Sequence, residues 1–362
     1  MKRRSFFKWL GLGALLGGGG LFAARQANAG NPYYSGPVSR HFNGTNFFNP
    51  GGEPPGSFTN LLRWQFGGGK KPWPEQWPSP FEKAKPDQRV TGDGLRVTMV
   101  GHATMLVQVA GLNLLSDPVW SHRVSPFSFA GPYRRNDPGI DFDDLPPIDV
   151  VLLSHNHYDH FDGETLKRLV DGHDPLIITP LGNDTIIQAF SPDARIAVGD
   201  WGDVEAVNDD VRVHFEPCHH WSARGSSDRR MALWAAFVIE TPVGKIYHIG
   251  DTGYHEGINY QEAGQKHGAF RLTILPIGAY EPRWFMKGQH QNPDEAVRGM
   301  LACNADFAVG HHWGTFRLTN EAVEEPRDAL AVAVETHGVV AERFQPMLPG
   351  EVWDVPVKNA AA

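Results

Sequence analysis

The segment Ser154–His160 constrains the fold and chemistry of this chain more than any other part of its sequence. It directly follows the almost unbroken apolar run Ile148–Leu153, which is typical of a β-strand covered on both faces. Within six residues it offers four candidate metal ligands, namely His155, His157, Asp159 and His160. Imidazole and carboxylate ligands suit zinc, and also iron or manganese. Because active sites in open α/β sheets lie at strand ends, this position favours a metal site over a polar surface loop.

The spacing of these ligands fits two adjacent cations. His155 and His157 are two residues apart, so in an extended or looped segment their side chains face the same side. Asp159 and His160 follow at a predicted turn and can face a neighbouring point. One short loop therefore offers two ligands to each of two cations, and further ligands must come from elsewhere in the chain.

Three later predicted strands also end in candidate ligands beside glycine or tryptophan. These ligands are His219 and His220 after Val211–Glu216, Asp251 after Lys245–Ile249, and His311 and His312 after Asp306–Gly310. A single loop histidine is more often structural, but the shared position of these residues at strand ends strengthens the signal. Cys218 lies here too, but we expect histidine and aspartate ligands rather than a thiolate.

The pattern of apolar residues predicts an α/β layered fold, because short strands alternate with helices. Further strands are predicted over Leu95–Val100, Thr104–Val109, Leu112–Ser116, Leu176–Thr179, Leu233–Glu240 and Leu272–Ile277. Helices are predicted over Gly163–Gly172, Asn183–Phe190, Pro293–Cys303 and Asn320–Gly338, the last capped by Thr319 or Asn320. We find no internal repeat and no dividing linker, which indicates one domain over residues 90–362.

Two N-terminal segments precede this domain. Residues 30–89 are rich in Gly, Pro and aromatic residues, and we expect an irregular extension whose aromatic side chains pack on the domain or form a lipid-contacting lip. Residues 1–29 place Arg3 and Arg4 before a short apolar stretch and small residues, a pattern that resembles a twin-arginine export signal. It predicts a periplasmic protein that begins at Gly30, and the alternative is an uncleaved membrane anchor.

Charge and cysteine content exclude several classes of protein. The chain has 33 basic and 41 acidic residues, and removing the five basic residues of the predicted signal lowers the net charge from −8 to −13. An acidic chain of this kind does not bind nucleic acid through bulk charge. Two cysteines cannot build a disulfide scaffold, and whether Cys218 and Cys303 pair stays open at this stage.

The order His155-x-His157-x-Asp159-His160, then His, Asp and His, resembles the metallo-β-lactamase fold of dinuclear hydrolases. Over roughly residues 98–338 the chain is similar to the N-acylphosphatidylethanolamine-hydrolysing phospholipase D group. The stretches that carry the likeness are Val100–Thr104, Leu145–Asp149, Ser154–His160, His220–Trp221, Gly250–Tyr254, Pro276–Lys287 with Gln289–His290, and His312–Phe316. The histidine motif is specific to the fold, whereas the Pro276–Lys287 stretch is specific to the subgroup.

This resemblance implies a four-layer αβ/βα sandwich with two Zn²⁺ ions, for which Fe or Mn are alternatives. It assigns one metal to His155, His157 and His220, and the other to Asp159, His160 and His312. It further implies that Asp251 bridges both metals with a hydroxide between them, and that this aspartate can take up a proton. Two cations roughly 3.5–4 Å apart can hold the attacking and substrate oxygens of a phosphodiester.

Further site residues are weaker candidates. The resemblance places His290, after Gln289, near the leaving group or phosphate, although a structural loop histidine is the alternative. Tyr158 can contact substrate or pack in the core. Asp117 can accept the N–H of a ligating histidine or be a turn residue. Trp284 and Phe285 line an apolar acyl groove in one interpretation and a core in the other.

The function favoured at this stage is a zinc phosphodiesterase that releases phosphatidic acid from an N-acyl phospholipid or a related glycerophosphodiester. Its expected partners are a phospholipid substrate and, peripherally, a membrane, with no nucleic acid. A lactonase or β-lactamase-like hydrolase is the second hypothesis, against which Asp251 and the Pro276–Lys287 stretch weigh. A non-catalytic periplasmic metal-binding protein is the third, although structural zinc sites are closed and this ligand set leaves room for water or substrate.

Overall fold

The computed structural model describes residues 30–357. The predicted twin-arginine signal, with its alternative as a membrane anchor, lies outside this part of the chain. Among the described residues, none of the helices combines the length and apolar character that crossing a bilayer requires.

The first β-sheet has seven strands. They are β1 (Leu95–Gly101), β2 (Thr104–Val109), β3 (Leu112–Ser116), β4 (Val150–Leu152), β5 (Leu176–Pro180), β6 (Arg195–Gly199) and β14 (Val352–Asp354). Their order across the sheet is β14-β1-β2-β3-β4-β5-β6. Strands β14 to β3 pair antiparallel, and β3 to β6 pair parallel. The predicted turn at Ala110–Gly111 joins β2 to β3, and both its residues have positive φ.

The second sheet repeats this plan with seven other strands. They are β7 (Val204–Ala206), β8 (Arg212–Glu216), β9 (Ala236–Glu240), β10 (Ile246–His248), β11 (Phe270–Pro276), β12 (Ala305–His311) and β13 (Phe344–Gln345). Their order is β13-β12-β11-β10-β9-β8-β7. Strands β7 to β10 pair antiparallel, and β10 to β13 pair parallel. In sheets with parallel strands, the loops at the carboxyl ends of those strands commonly carry functional residues.

Helices cover the outer faces of both sheets. The described helices are α1 (Phe58–Phe66), α2 (Gly163–His173), α3 (Asn183–Phe190), α4 (Ile258–His267), α5 (Arg283–Met286), α6 (Pro293–Ala302) and α7 (Glu325–Thr336). Buried residues of α2 and α3 pack on the first sheet, and those of α4, α6 and α7 pack on the second. The four layers confirm the αβ/βα sandwich of the metallo-β-lactamase type.

Strand β4 shows why the sequence before the histidine loop is apolar throughout. Val150 and Leu152 lie in the cluster between the two sheets, whereas Val151 and Leu153 lie in the cluster beneath α2 and α3. Successive residues of a strand point to opposite faces, so a strand covered on both faces needs apolar residues at every position. This packing fixes the start of the loop at Ser154.

Helix α7 begins at Glu325, so the prediction of a helix from Asn320 is wrong in its first turn. The Asn320 side chain accepts a hydrogen bond from the Trp64 indole N–H at 2.9 Å. The Glu321 carboxylate accepts the backbone N–H of Ala279 at 2.6 Å. These tertiary hydrogen bonds hold residues 320–324 as a loop.

Residues 30–89 lie against the sandwich and include one helix that the sequence pattern did not predict. Helix α1 starts where the Ser57 hydroxyl accepts the backbone N–H of Asn60 at 3.2 Å. Phe42 and Phe47 are buried in the core of the second sheet and its helices. Phe42 and Phe47 are therefore packing residues.

The structure answers whether the two cysteines form a disulfide, which the sequence left open. Cys218 and Cys303 are both buried, and neither forms a disulfide. Burial raises the pKa of the Cys303 thiol to about 12, so this side chain stays a neutral apolar group within the core.

Candidate metal centre

Loops at one edge of the sandwich bring the predicted ligands together. The His155–His160 loop follows β4, His220 follows β8, and Asp251 follows β10. His312 follows β12 directly. The side chains of these loops form overlapping groups in which the ligand atoms lie within 4.8 Å of one another.

The first cluster consists of His155, His157 and His220. The distance from His155 Nε2 to His157 Nδ1 is 2.9 Å, and that from His157 Nδ1 to His220 Nε2 is 3.2 Å. His155 and His220 are buried, and His157 is partly buried. Three ring nitrogens therefore converge on one point.

The other ring nitrogens of this cluster show that the convergent atoms carry lone pairs. His155 Nδ1 lies 2.9 Å from the Ser154 hydroxyl, which itself donates to Asp117 Oδ2 at 2.7 Å. His220 Nδ1 donates to the backbone carbonyl of Gln289 at 3.0 Å. With their protons on Nδ1, His155 and His220 present Nε2 as a bare acceptor. Two bare acceptors beside the ring nitrogen of His157 can share a cation, so the donor set fits a metal ion.

The second cluster consists of His102, Asp159, His160 and His312. The Nε2 atoms of His160 and His312 lie 3.1 Å apart. Asp159 Oδ2 lies 3.3 Å from His312 Nε2 and 3.7 Å from His160 Nε2. Imidazole nitrogens and a carboxylate oxygen again converge, which fits a second divalent cation.

Asp251 lies between the two clusters. Its Oδ2 atom is 3.2 Å from His312 Nε2 and 3.3 Å from His160 Nε2 in the second cluster. The same atom is 3.6 Å from His220 Nε2 and 4.0 Å from His155 Nε2 in the first cluster. The Oδ1 atom is buried without a hydrogen-bond partner. One carboxylate thus faces both groups of ligands.

Asp117 supports both clusters from behind. Its Oδ2 atom accepts a hydrogen bond from His160 Nδ1 at 2.8 Å, and its Oδ1 atom accepts the backbone N–H of Ser154 at 2.7 Å. The Ser154 hydroxyl joins the same carboxylate to His155. Asp117 therefore orients one imidazole in each cluster, which is the usual role of a carboxylate behind metal-binding histidines.

The charges of the site favour cations. Burial lowers the pKa of a histidine, but the carboxylates of Asp251 and Asp159 raise the pKa of His312 to about 9. Burial acts in the opposite direction on Asp251, yet His312, His160 and His290 hold its pKa well below the usual range. The carboxylates are ionised and concentrated in a buried space, so they attract positive charge.

His290 forms a further ligand group with His220 and Asp251, whereas Tyr158 lies beside the groups in the histidine loop. His290 Nδ1 lies 3.8 Å from Asp251 Oδ2, and its ring centroid lies 5.1 Å from that of His220. Tyr158 is partly buried, and the Arg224 guanidinium stacks on its ring at 3.8 Å. Gln289 reaches the site with its backbone carbonyl, while its side chain donates to the carbonyl of Glu53 at 3.2 Å.

The remaining members of the histidine doublets face elsewhere. His219 Nδ1 accepts from the Asn259 amide at 3.0 Å, and its ring is tilted by 44° to that of His255 with ring centroids 3.9 Å apart. His311 Nε2 donates to the backbone carbonyl of Ile249 at 2.8 Å. Both side chains therefore stabilise the loops that carry their neighbours, and Cys218 does not join any ligand group of the described residues.

His102 lies in the site, although the sequence analysis predicted no role for it. It lies between β1 and β2, and its Nε2 atom is 3.0 Å from Asp159 Oδ2. Burial, followed by the neighbouring His312, lowers the pKa of His102 to about 3, so the neutral ring donates to the Asp159 carboxylate. The Val100–Thr104 stretch contains this histidine, so a signal was present in the sequence.

The sequence is similar to those of known proteins over much of its length. Residues 112–313, more than half of the chain, match the family model described as the Beta-lactamase superfamily domain. A Caenorhabditis elegans relative, named N-acyl-phosphatidylethanolamine-hydrolyzing phospholipase D 1, is 36% identical over 290 residues, which cover 76% of this chain and 81% of the relative. A Saccharomyces cerevisiae relative is named N-acyl-phosphatidylethanolamine-hydrolyzing phospholipase D, mitochondrial. It is 30% identical over 256 residues, which cover 69% of this chain and 54% of the relative.

The fold is also shared with a solved structure. A metallo hydrolase from the hyperthermophilic archaeon Ignicoccus hospitalis superposes with a TM-score of 0.53 at 18% sequence identity. The match covers 73% of this chain and 100% of that one. The likeness at this level of identity concerns the arrangement of sheets and helices.

Proposed function

Because the chain belongs to the beta-lactamase superfamily and has the fold of metal-dependent hydrolases, we propose that it is a dinuclear zinc phosphodiesterase of the phospholipase D type. The proposed substrate is N-acyl phosphatidylethanolamine or a related glycerophospholipid. The observation that carries the proposal is the position of Asp251 Oδ2 within 4.0 Å of histidines from both ligand clusters. A carboxylate placed in this way suits two neighbouring cations.

In this proposal His155, His157 and His220 would hold one zinc ion and Asp159, His160 and His312 would hold the other. The Asp251 carboxylate faces both groups of ligands. When bound, zinc supplies Lewis-acid chemistry, since it acidifies water and neutralises negative charge on phosphoryl oxygens. Fe or Mn would bind the same donor types. The chain itself must keep the nitrogen lone pairs aimed, and Ser154, Asp117 and the Gln289 carbonyl do so.

His290 is the side chain that we place next to the substrate phosphate or leaving group. Its backbone is fixed, because its N–H donates to the Met286 carbonyl at 2.8 Å and its carbonyl accepts from Arg283 at 2.8 Å. The Nδ1 atom is buried without a partner and faces Asp251. A ring held in this way can donate a hydrogen bond to a phosphoryl or alkoxide oxygen in the cleft.

Arg224 gives the metal loop its shape in the proposed mechanism. Its guanidinium donates to the carbonyl of Phe161 at 2.6 Å and stacks on the ring of Tyr158. These contacts fix both ends of the turn that carries Asp159 and His160. Tyr158 then forms one wall of the cleft, where we propose that it contacts the substrate.

The choice of a phospholipid is supported by the two relatives whose names describe hydrolysis of N-acyl phosphatidylethanolamine. The subgroup-specific stretch contains α5, on which Trp284 is half exposed and lies six residues before His290. An apolar side chain at that position suits an acyl chain better than a small polar substrate.

The direct test measures metal content and phosphodiester turnover in one preparation. We expect about two zinc ions per chain and chelator-sensitive hydrolysis of bis-(p-nitrophenyl) phosphate, followed by release of phosphatidic acid from N-acyl phosphatidylethanolamine. Two metals with turnover of lactones or lactams alone would instead support the second hydrolase class. Two metals without any turnover would support a metal-binding protein, and no tightly bound metal would refute the proposal.

We also propose that the protein is exported to the periplasm by its twin-arginine segment. Arg3→Lys combined with Arg4→Lys should leave the protein in the cytoplasmic fraction, with Lys8→Arg as the charge-preserving control. The mass of the exported chain should correspond to a start at Gly30. A full-length chain in the membrane fraction would support the anchor instead.

A further inference from the structure

Helix α1 turns its apolar side chains toward solvent. Phe58, Leu61, Leu62 and Phe66 have the spacing of one helix face, and their exposed fractions are 61%, 40%, 40% and 79%. No residue of the helix is buried. A surface helix normally turns such a face to the core, so the orientation of α1 is reversed.

The opposite side of α1 holds it on the protein. The Trp64 ring stacks on Phe285 with ring centroids 5.4 Å apart, and its indole N–H donates to Asn320 at 2.9 Å. Gly56 precedes the helix, and a Cβ atom there would lie 2.3 Å from the Phe285 ring. The close approach needs glycine, and it fixes α1 with the apolar face pointing outward.

These contacts place α1 beside the metal centre. Phe285 lies in α5, five residues before His290, whose ring borders Asp251. On the other side Arg229 donates to the carbonyl of Gly56 at 3.2 Å and stacks on Trp221. The Trp221 ring meets the ring of His157, a member of the first cluster, at 4.6 Å.

The charge around α1 differs from that of the whole chain. Residues 56–74 contain three basic residues and no acidic residue, whereas the chain has a net charge of −8. Lys71 forms an ion pair with Glu325 at 2.6 Å, so Arg63 and Lys70 supply the local positive charge. The Arg63 guanidinium stacks on Trp284 at 4.7 Å, and the Lys70 ammonium lies over Trp64 at 4.7 Å. Tryptophan, phenylalanine and leucine flanked by basic residues are typical of helices that lie in the interface of an anionic bilayer.

We propose that Phe58, Leu61, Leu62, Phe66 and Trp284 form a lipid-docking face that binds an anionic phospholipid bilayer. Arg63 and Lys70 contact the headgroups, and the mouth of the metal centre then lies against the membrane. The biological use of this face rests on the proposed phospholipid hydrolysis. A second copy of the chain fits less well, because a two-fold interface would oppose the same basic residues.

Vesicle sedimentation tests the docking face, using the mature chain that we expect to begin at Gly30. The vesicles consist of phosphatidylcholine with or without phosphatidylglycerol. We expect binding to the anionic vesicles that weakens with salt, and a loss of about tenfold or more in Phe58→Ser/Leu62→Ser/Phe66→Ser, because binding scales with buried apolar area. The control Val204→Ser/Val332→Ser removes exposed apolar side chains from β7 and α7 and should bind as the parent does.

A second variant separates charge from apolar contact. Arg63→Glu/Lys70→Glu keeps every apolar residue and should lose binding to the anionic vesicles. Unchanged binding in either variant, or no binding by the parent chain, would overturn the proposal. A parent dimer that the triple serine variant converts to monomers without altered vesicle binding would overturn it as well, by assigning the face to a second copy.

The two proposals fail separately. Turnover of the soluble bis-(p-nitrophenyl) phosphate should be the same in all these variants, while turnover of phospholipid in anionic vesicles should fall with binding. Soluble turnover without vesicle binding would refute the docking face alone. Vesicle binding without any phosphodiester turnover would refute the phosphodiesterase and leave the docking face supported.

Discussion

Replacement of Asp117 by asparagine should weaken both proposed metal sites at once. The Asp117 carboxylate accepts from His160 Nδ1 at 2.8 Å, from the Ser154 hydroxyl at 2.7 Å and from the Ser154 backbone at 2.7 Å. In the variant, one orientation of the amide sets its NH₂ against the first two donors, and the other sets it against the backbone N–H. In the first orientation the His160 proton moves to Nε2, the atom that binds metal in the proposed site.

The size of the effect follows from how many imidazoles depend on Asp117. It fixes His160 directly and His155 through Ser154, so each proposed metal site loses the orientation of one ligand. Loss of an outer partner of a metal-binding histidine typically costs about 10–100-fold in metal affinity or activity. That range corresponds to about 1.4–2.7 kcal/mol for each metal equivalent.

Competition with a chromophoric chelator measures this effect, because it resolves the affinity of each metal equivalent. Glu216→Gln is the matched control, since Glu216 is a buried carboxylate bonded to His267 Nε2 at 2.8 Å, outside every ligand group of the described residues. The control should keep the parent affinities. Parent affinity for both equivalents in Asp117→Asn would refute the assigned role of Asp117.

Three further predictions concern the same site and its surroundings. Asp159→Ala and His312→Ala should each lose a metal equivalent and most hydrolysis, and full metal content with full turnover in both would contradict the ligand assignment. His102→Gln should keep more metal affinity than His102→Ala, because a carboxamide N–H can still donate to Asp159. Equal metal affinities of the two variants in chelator competition would show that His102 does not position Asp159. Burial raises the pKa of Glu216, but hydrogen bonds from His267 and Lys266 outweigh this effect and hold the pKa below its usual value. The ionised carboxylate therefore stabilises the fold at higher pH. This contribution is lost as the pH falls through the lowered pKa. Urea unfolding across the acid range should therefore show a smaller loss of stability in Glu216→Gln than in the parent chain, and equal losses would contradict the reasoning.

The ligand loops could be predicted from the sequence because strand and loop chemistry coincide there. An apolar run such as Ile148–Leu153 marks a strand covered on both faces, and its end fixes where polar residues reach the edge of the sheet. Of the two doublets, His220 and His312 face the ligand groups, and the backbone between neighbouring residues turns His219 and His311 away. That choice came from resemblance, because two adjacent histidines have equal chemistry in a sequence.

Features that depend on tertiary contacts could not be predicted in this way. His102 lies 57 residues before Asp159, and only the folded chain brings the two side chains together. Helix α4 has little amphipathic pattern, so its sequence shows no helical periodicity of apolar residues. The strands β7, β13 and β14 have three residues or fewer, which is too short for an alternating pattern to be recognised. The N-cap expected at Asn320 failed because its side chain bonds to Trp64 instead.

The metal centre combines ligand chemistry with backbone strain. His102, Asp117 and His312 all have positive φ, at 57°, 36° and 67°, a region that side chains other than glycine rarely adopt. Each such residue costs about 1–3 kcal/mol, and glycine would relieve the strain but remove the side chain that the site needs. Backbone hydrogen bonds hold the strained positions, since the His312 N–H donates to the His102 carbonyl at 2.8 Å and the Asp117 N–H to the Leu152 carbonyl at 2.9 Å. The sandwich thus stabilises a ligand arrangement that is unfavourable by itself, and cations that bind only the folded chain must add to the free energy of unfolding.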